Sequence, residues 1–92
     1  MEKRYKIRFT SRGSKDLNTF RSRHSKSYVE FLKVLPLLEI DPYKVGNKLK
    51  GKYKGFFSLH FSRKPECRAI YKIEEDIVTV LIIRIDTREN IY

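Results

Sequence analysis

The chain has 92 residues, a net charge of +10 and a single cysteine, Cys67. This length predicts one domain, residues 1–92, with one modest hydrophobic core. The sequence contains no run of about 18 apolar residues, which argues against a membrane-spanning helix or a membrane partner. The basic start of the sequence lacks the apolar segment of a signal peptide, and a lone cysteine cannot form an internal disulfide. We therefore expect a cytoplasmic protein rather than a secreted disulfide scaffold.

The positive charge is concentrated in the first two thirds of the chain. Residues 1–64 hold 17 Lys/Arg and 5 Asp/Glu, a net charge of +12, whereas residues 65–92 hold 4 and 6, a net charge of −2. Solubility does not require one sign of charge to dominate so strongly. The imbalance favours a polyanionic partner over a merely solubilising surface, and the 6 Tyr and 6 Phe argue against a disordered basic tail.

The first elements are a strand and a charged helix. Residues 3–9 alternate apolar with basic side chains, which predicts a half-buried strand. Thr10 or Ser11 can cap the helix that follows, because their hydroxyl groups accept hydrogen bonds from the first free N–H groups of a helix. We expect this helix to reach about His24.

A second helix is more apolar. Its predicted buried face has the i, i+3, i+4, i+7 spacing and consists of Tyr28, Phe31, Leu32 and Leu35. Pro36 removes a backbone donor, so the helix should kink or restart there, and Asp41-Pro42 should end it.

A basic loop and three strands complete the chain. Residues 43–56 are expected to form the loop, which has five lysines between positions 44 and 54 and three glycines. The strands are predicted over residues 56–62, 66–74 and 77–85. The first two alternate between apolar and polar side chains, whereas the third is apolar on both faces, as in a central strand. The acidic residues between the last two strands should form a hairpin turn.

This β-α-α-β-β-β order predicts an α+β fold, in which a helical hairpin packs on one face of a mainly antiparallel, twisted sheet. The opposite face should be exposed, polar and concave. It carries Ser58, His60, Arg68 and Arg84, and we look for chemistry there.

These side chains suit metal-independent RNA cleavage. In that reaction the 2′-hydroxyl attacks its own phosphate, and the protein moves protons and stabilises negative charge. Histidine exchanges protons near neutral pH, and arginine grips phosphate oxygens with a planar fork. No metal-ligand spacing or phosphate-binding glycine loop is present, so we predict no metal and no cofactor. The alternatives are an ordinary surface histidine at His60 and a solvated strand arginine at Arg68.

Basic residues near these strands are candidates for RNA contacts. The lysines of the loop alternate with tyrosine and glycine, which favours contacts to a nucleic-acid backbone over a merely charged loop. The predicted RNA-binding residues are Lys48, Lys50, Lys52, Arg63 and Lys64.

Three segments of the sequence carry a family resemblance. They are Lys48-Leu49-Lys50-Gly51, Cys67-Arg68-Ala69-Ile70-Tyr71-Lys72-Ile73 and the end Asp86-Thr87-Arg88-Glu89-Asn90-Ile91-Tyr92. In this order, with the valine/isoleucine strand between the last two, they resemble the RelE branch of the RelE/ParE toxin superfamily. The resemblance implies a toxin that cleaves mRNA in the ribosomal A site and is neutralised by a cognate antitoxin protein.

The resemblance also implies site residues. The family's middle-strand arginine corresponds to Arg68, the arginine at the C-terminal strand end to Arg88, and the terminal tyrosine to Tyr92. The basic residue before the glycine corresponds to Lys50. Two strand lysines of the best-studied branch match Ser58 and His60 here. His60 is therefore a candidate replacement as acid or base, unless Lys52 or Lys54 reaches in from the loop. The predicted catalytic residues are His60, Arg68, Arg88, Tyr92 and Lys54.

Two other functions remain open at this point. A ParE-like toxin has a similar fold and poisons DNA gyrase by protein binding, without cleaving RNA. A non-catalytic RNA-binding module would need the basic loop but not His60, Arg88 or Tyr92.

Overall fold

The computed structural model describes residues 3–91. Their elements are β1 (Lys6–Phe9), α1 (Ser11–Arg23), α2 (Ser25–Ile40), α3 (Pro42–Val45), β2 (Asn47–Lys48), β3 (Phe57–Arg63), β4 (Glu66–Glu74), β5 (Thr79–Thr87) and α4 (Arg88–Ile91). The strands form one sheet in the order β1-β5-β4-β3-β2. Strand β1 runs parallel to β5, and the other pairings are antiparallel. The predicted α+β fold is confirmed, and among residues 3–91 no helix is long and apolar enough to cross a membrane.

Helix α1 is held against the edge of β5 at its first turn. The Thr10 hydroxyl accepts a hydrogen bond from the Gly13 N–H at 3.0 Å, which confirms the predicted cap. The Thr10 N–H donates to the Ile82 carbonyl, also at 3.0 Å. A Cβ at Gly13 would lie 2.4 Å from that carbonyl oxygen, so the helix can approach the strand this closely only with glycine.

Helix α2 confirms its predicted apolar face except at one position, since Tyr28 and Leu35 are partly buried against the core. Phe31 is buried as expected, but Leu32 is 42% exposed, and the prediction that it belongs to the core is wrong. The second core position is Leu38, which lies two turns after Phe31 and therefore on the same face. The helix continues through Pro36 rather than restarting there. It ends at Ile40 with Asp41 as its C-cap residue, which confirms the predicted end at Asp41-Pro42.

The core lies between the helices and the inner face of the sheet. Phe61 of β3 is at its centre, with its ring centroid 5.7 Å from that of Phe20 on α1 and 5.1 Å from that of Phe31 on α2. The predicted inward side chains of β3 and β4 are buried: Phe57, Leu59, Phe61, Cys67, Ala69 and Tyr71. Their alternation leaves the intervening side chains on the outer face.

The outer face is only partly exposed, which corrects the prediction. Ser58 and Ile70 point away from the core by alternation, yet they are 3% and 0% exposed. Helix α4, which the sequence did not predict, packs against β4 and β5, and its Ile91 is fully buried outside the main core cluster. Helix α4 therefore covers one part of this face.

The predicted boundaries shift at both ends of the sheet and in the loop. Strand β1 begins at Lys6 rather than at residue 3, and β5 spans Thr79–Thr87 rather than 77–85. A 3₁₀ turn over Glu75–Ile77 precedes β5. The basic loop contains α3, the short strand β2 and a second 3₁₀ turn over Gly51–Tyr53.

Glu75 joins three parts of the chain at the end of the sheet far from the β3–β4 turn. Its carboxylate accepts hydrogen bonds from the hydroxyl groups of Tyr5 and Tyr43 and contacts the Lys3 ammonium group. These donors lower the pKa of Glu75 to about 2, with the lysine as the largest cause. The hydrogen bond between Tyr43 and Glu75 raises the pKa of the Tyr43 hydroxyl group to about 12.

Candidate functional site

His60 and Arg68 lie side by side on the outer face. In the antiparallel ladder, His60 of β3 is directly opposite Arg68 of β4, and Arg68 is opposite Asp86 of β5. Directly opposed residues share a face, so the pairing brings the imidazole and the guanidinium group together as expected. Arg68 is the more constrained of the two, because its side chain is only 18% exposed whereas that of His60 is 50% exposed.

The Glu66 carboxylate contacts three of the predicted catalytic side chains. Glu66 Oε1 lies 3.0 Å from His60 Nδ1 and 3.6 Å from Arg68 Nη2, and Glu66 Oε2 lies 3.4 Å from Arg88 Nη1. We call His60, Glu66, Arg68 and Arg88 the Glu66 cluster. The sequence interpretation placed few carboxylates near the site and missed Glu66. The available indication was its position two residues before Arg68, which puts both side chains on one face of the strand.

A bulge in β3 produces this arrangement. The ladder pairs Phe61 with Cys67 and then Arg63 with Glu66, so Ser62 is an extra residue. Ser62 has a φ of 71°, and its hydroxyl oxygen lies 2.9 Å from that of Ser27 on α2. The Ser62 side chain therefore turns to the inner face. Glu66 is left as the diagonal neighbour of His60 across the strand pair.

Arg84 belongs to a neighbouring group that supports α4. Its guanidinium nitrogens lie 3.6 Å from Asp16 Oδ2 and 3.2 Å from Asp86 Oδ2, and Nη1 donates to the Ile91 carbonyl at 3.4 Å. Asp16 also accepts the Ile85 N–H at 3.0 Å, on the part of β5 that extends beyond β1. Arg84 pairs with Ile70 on the outer face, as predicted, and there it contacts the end of the helix that begins with Arg88.

Two shallow pockets adjoin the Glu66 cluster. One, of about 380 Å³, is lined by His60, Phe61, Ser62, Arg63 and Glu66. The other, of about 450 Å³, is lined by Pro65, Glu66, Thr87, Arg88 and Glu89. Glu66 lines both pockets, and each has the size of a small-ligand site. Arg63 thus stands beside His60, while Lys64 is exposed in the turn between β3 and β4.

The lysines of the loop form a separate group. Lys48, Lys50 and Lys54 line a pocket of about 400 Å³ together with Leu49, Gly51, Gly55 and Phe57. Lys52 is exposed, with its ammonium nitrogen 5.3 Å from the centre of the Tyr53 ring. Phe57 precedes His60 by three residues on β3, a rise of about 10 Å. Lys54 lines the loop pocket rather than the His60 pocket, and its catalytic role stays a prediction.

Neither Tyr92 nor Cys67 belongs to the Glu66 cluster as the structure describes it. Tyr92 lies outside the described residues, and its predicted role stays a prediction. Cys67 is buried in the core, and burial raises the pKa of its thiol, which argues against a nucleophilic role. Within residues 3–91, no group of three or more His, Cys, Asp or Glu side chains is placed to hold a metal ion.

Comparison with known proteins identifies the family. No family model matches the chain. The chain is 34% identical over 88 residues to Toxin RelG of Mycobacterium tuberculosis, a match that covers 96% of this chain and 95% of that protein. The chain is a RelE-like toxin of the toxin–antitoxin family.

Solved structures agree with this assignment. The RelE-like toxin superposes on a chain of the toxin–antitoxin complex RelBE2 from Mycobacterium tuberculosis with a TM-score of 0.71 and 32% identity, covering 95% of this chain and 94% of that one. It also matches a chain of the intact E. coli RelBE toxin–antitoxin complex, with a TM-score of 0.76, 23% identity and coverage of 94% and 99%. The second likeness supports the fold alone.

The outer face of this RelE-like toxin combines groups that suit a phosphodiester. An imidazole can exchange a proton, two guanidinium groups can bind phosphate oxygens, and a carboxylate links them. Arg68 is fixed on a central strand, and Arg88 is brought to it by the first turn of α4.

Proposed function

We propose that this toxin is a ribosome-dependent endoribonuclease that cleaves mRNA without a metal ion and is neutralised by a cognate antitoxin. The observation that carries the proposal is the Glu66 cluster, in which His60, Arg68 and Arg88 meet around one carboxylate at the edge of two open pockets. A non-catalytic RNA-binding module has no need of such a convergence.

The proposed reaction uses the ribose as its own nucleophile. His60 removes the proton of the 2′-hydroxyl, the 2′-oxygen bonds to the adjacent phosphorus, and the bond from phosphorus to the 5′-oxygen breaks. The leaving 5′-oxygen takes a proton from a second group, for which Lys54 and Tyr92 are the candidates. The products are a 2′,3′-cyclic phosphate and a 5′-hydroxyl. Arg68 and Arg88 stabilise the extra negative charge on the phosphate oxygens.

The basic loop gives the RNA a path to this site. Lys48 and Lys50 line a pocket at the start of β3, and Arg63 stands at the other end of that strand. A chain of phosphates following β3 would pass His60 on the way. Cleavage and RNA affinity should therefore fall with rising salt concentration, because each phosphate contact releases a bound counterion.

An antitoxin partner is supported by relatives and by charge. The 32%-identical relative was solved as part of a toxin–antitoxin complex. A net charge of +12 over residues 1–64 should attract an acidic or amphipathic segment of such a partner. By covering the phosphate-binding side chains, that segment would suppress cleavage.

The test is expression of the wild-type chain from a tightly controlled promoter, followed by primer extension on a reporter mRNA. We expect growth arrest and cuts inside the translated region, and we expect those cuts to disappear when the start codon of the reporter is removed. Co-expression of the antitoxin should restore growth.

Other outcomes would contradict the proposal in recognisable ways. Growth arrest with an intact reporter and with DNA gyrase trapped on DNA would establish the ParE-like activity instead. RNA binding in vitro without arrest or cleavage would establish a binding module.

A further inference from the structure

Glu66 is the one carboxylate that the proposed catalytic histidine contacts among the described residues. It stands diagonally across the β3–β4 pair from His60, at 3.0 Å from the Nδ1 atom. A partly exposed ion pair of this kind contributes little to stability. Its position matters more for the histidine ring, because a hydrogen bond to one ring nitrogen decides which nitrogen carries the hydrogen.

The position of Glu66 favours one form of the neutral ring. An ionised carboxylate only accepts hydrogen bonds, and Glu66 Oε1 lies within hydrogen-bond distance of His60 Nδ1, at 3.0 Å, so the geometry favours a hydrogen on Nδ1. Neutral imidazole carries one ring hydrogen, so Nε2 keeps its lone pair. Arg68 and Arg88 compensate the charge of the carboxylate, with nitrogens 3.6 Å and 3.4 Å from its oxygens.

We propose that Glu66 is a positioning residue that holds His60 with its hydrogen on Nδ1, so that Nε2 removes the proton from the 2′-hydroxyl. The proposal rests on the proposed ribonuclease function. It assigns His60 to the base of the first step, because a neutral ring in this tautomer presents a lone pair to the RNA. The proton passes from the 2′-oxygen to Nε2, and the resulting imidazolium keeps its Nδ1 contact with the Glu66 carboxylate.

The bulge at Ser62 leaves space for the contact between His60 and Glu66. Ser62 would follow His60 on the outer face of a regular strand, but its hydroxyl group instead contacts Ser27 of α2. The diagonal between His60 and Glu66 is therefore open. A regular strand would place the Ser62 side chain next to that diagonal.

The first measurement is the tautomer of His60 in the full chain. The chain contains two histidines, His24 and His60, so ¹⁵N-histidine labelling gives two ring systems, and a His24→Gln variant assigns them. Long-range ¹H–¹⁵N correlation at a pH where the rings are neutral distinguishes hydrogen on Nδ1 from hydrogen on Nε2. We expect Nδ1–H in the wild type and in Glu66→Gln, whose side-chain carbonyl still accepts. We expect the Nε2–H form of free histidine to dominate in Glu66→Ala.

The second measurement is the cleavage rate of the same variants on ribosome-bound mRNA. Glu66→Ala should lower kcat by about 10- to 100-fold, less than the roughly 10²–10⁴-fold contribution of the base itself, while KM changes little. Glu66→Gln should recover part of that loss. The matched control is Asp76→Ala, which removes an exposed carboxylate from the turn before β5, outside both pockets of the Glu66 cluster.

The two measurements separate the proposal from the function on which it rests. An unchanged His60 tautomer in Glu66→Ala would overturn the positioning role, and a changed tautomer with undiminished kcat would overturn the assignment of Nε2 as the base. Equal losses in Asp76→Ala and Glu66→Ala would mean that Glu66 acts only through its charge, which would also overturn the positioning role. A wild-type chain that cleaves no RNA would instead refute the proposed function, and the tautomer would still decide whether Glu66 positions the ring.

Discussion

Truncation of Arg68 should reduce cleavage more than truncation of Arg88. Both guanidinium groups contact Glu66, but the Arg68 side chain is 18% exposed and that of Arg88 is 63% exposed. A charge held rigidly in a partly desolvated place stabilises a transition state more than a mobile, hydrated one. Arg68→Ala should therefore lower the rate by about 10²–10³-fold, or about 2.7–4 kcal/mol. Arg88→Ala should cost about tenfold.

The Arg68→Lys variant tests whether cleavage needs the planar guanidinium group of Arg68 or only its positive charge. Lysine keeps the positive charge but cannot bind two phosphate oxygens in parallel. The loss of one charge-assisted hydrogen bond costs about 1.5–3 kcal/mol. Arg68→Lys should therefore fall between the wild type and Arg68→Ala.

The assay is single-turnover cleavage of ribosome-bound mRNA, with thermal unfolding followed by circular dichroism as the check on folding. The control is Lys72→Ala, which removes an exposed cation from the same face of β4, four residues beyond Arg68. A folded Arg68→Ala variant that cleaves as fast as Lys72→Ala would refute the role of Arg68. A larger loss in Arg88→Ala than in Arg68→Ala would refute the argument from burial.

Three further predictions concern the scaffold that holds the site. Gly13→Ala should destabilise the fold by about 1–3 kcal/mol in chemical denaturation, because its Cβ would lie 2.4 Å from the Ile82 carbonyl oxygen; an unchanged unfolding midpoint would contradict this close approach. Tyr71→Phe should cost about 1–3 kcal/mol, since it removes the 2.6 Å hydrogen bond to the Pro42 carbonyl inside the protein; a neutral result would mean that water replaces the hydroxyl group. The pKa of Glu75 is lowered from 4.5 to about 2, so its contribution is complete above pH 4.5 and is lost as the pH falls towards 2; Glu75→Gln should flatten the stability curve in that window, and parallel curves for the two proteins would contradict the lowered pKa.

The sequence predicted those parts of the fold that follow from periodicity. Alternation in β3 and β4 correctly separated the core side chains from His60 and Arg68, because a strand side chain can only face one of two sides. The Thr10 cap follows equally directly from the chemistry of the first turn. Helical periodicity was less decisive in α2, where Leu32 fits the apolar pattern although the sheet contacts a face centred on Phe31 and Leu38.

The features that the sequence missed depend on contacts between distant residues. The position of Glu66 beside His60 depends on a bulge at Ser62, a serine in a left-handed conformation that is stabilised by α2. No local pattern predicts such a bulge. The burial of Ile91 likewise depends on α4, a helix of four residues that is too short to show a periodic pattern.

The most direct test of the proposed chemistry replaces a single hydroxyl group on the substrate. Ribosomes are programmed with an mRNA that carries 2′-deoxyribose at the mapped cleavage position, and the purified toxin is added in parallel to the unmodified mRNA. Cleavage of the unmodified mRNA to a 2′,3′-cyclic phosphate, with no cut in the deoxy-substituted mRNA, is the predicted result. Equal cleavage of both would contradict attack by the 2′-hydroxyl, and cleavage of neither would contradict the nuclease itself.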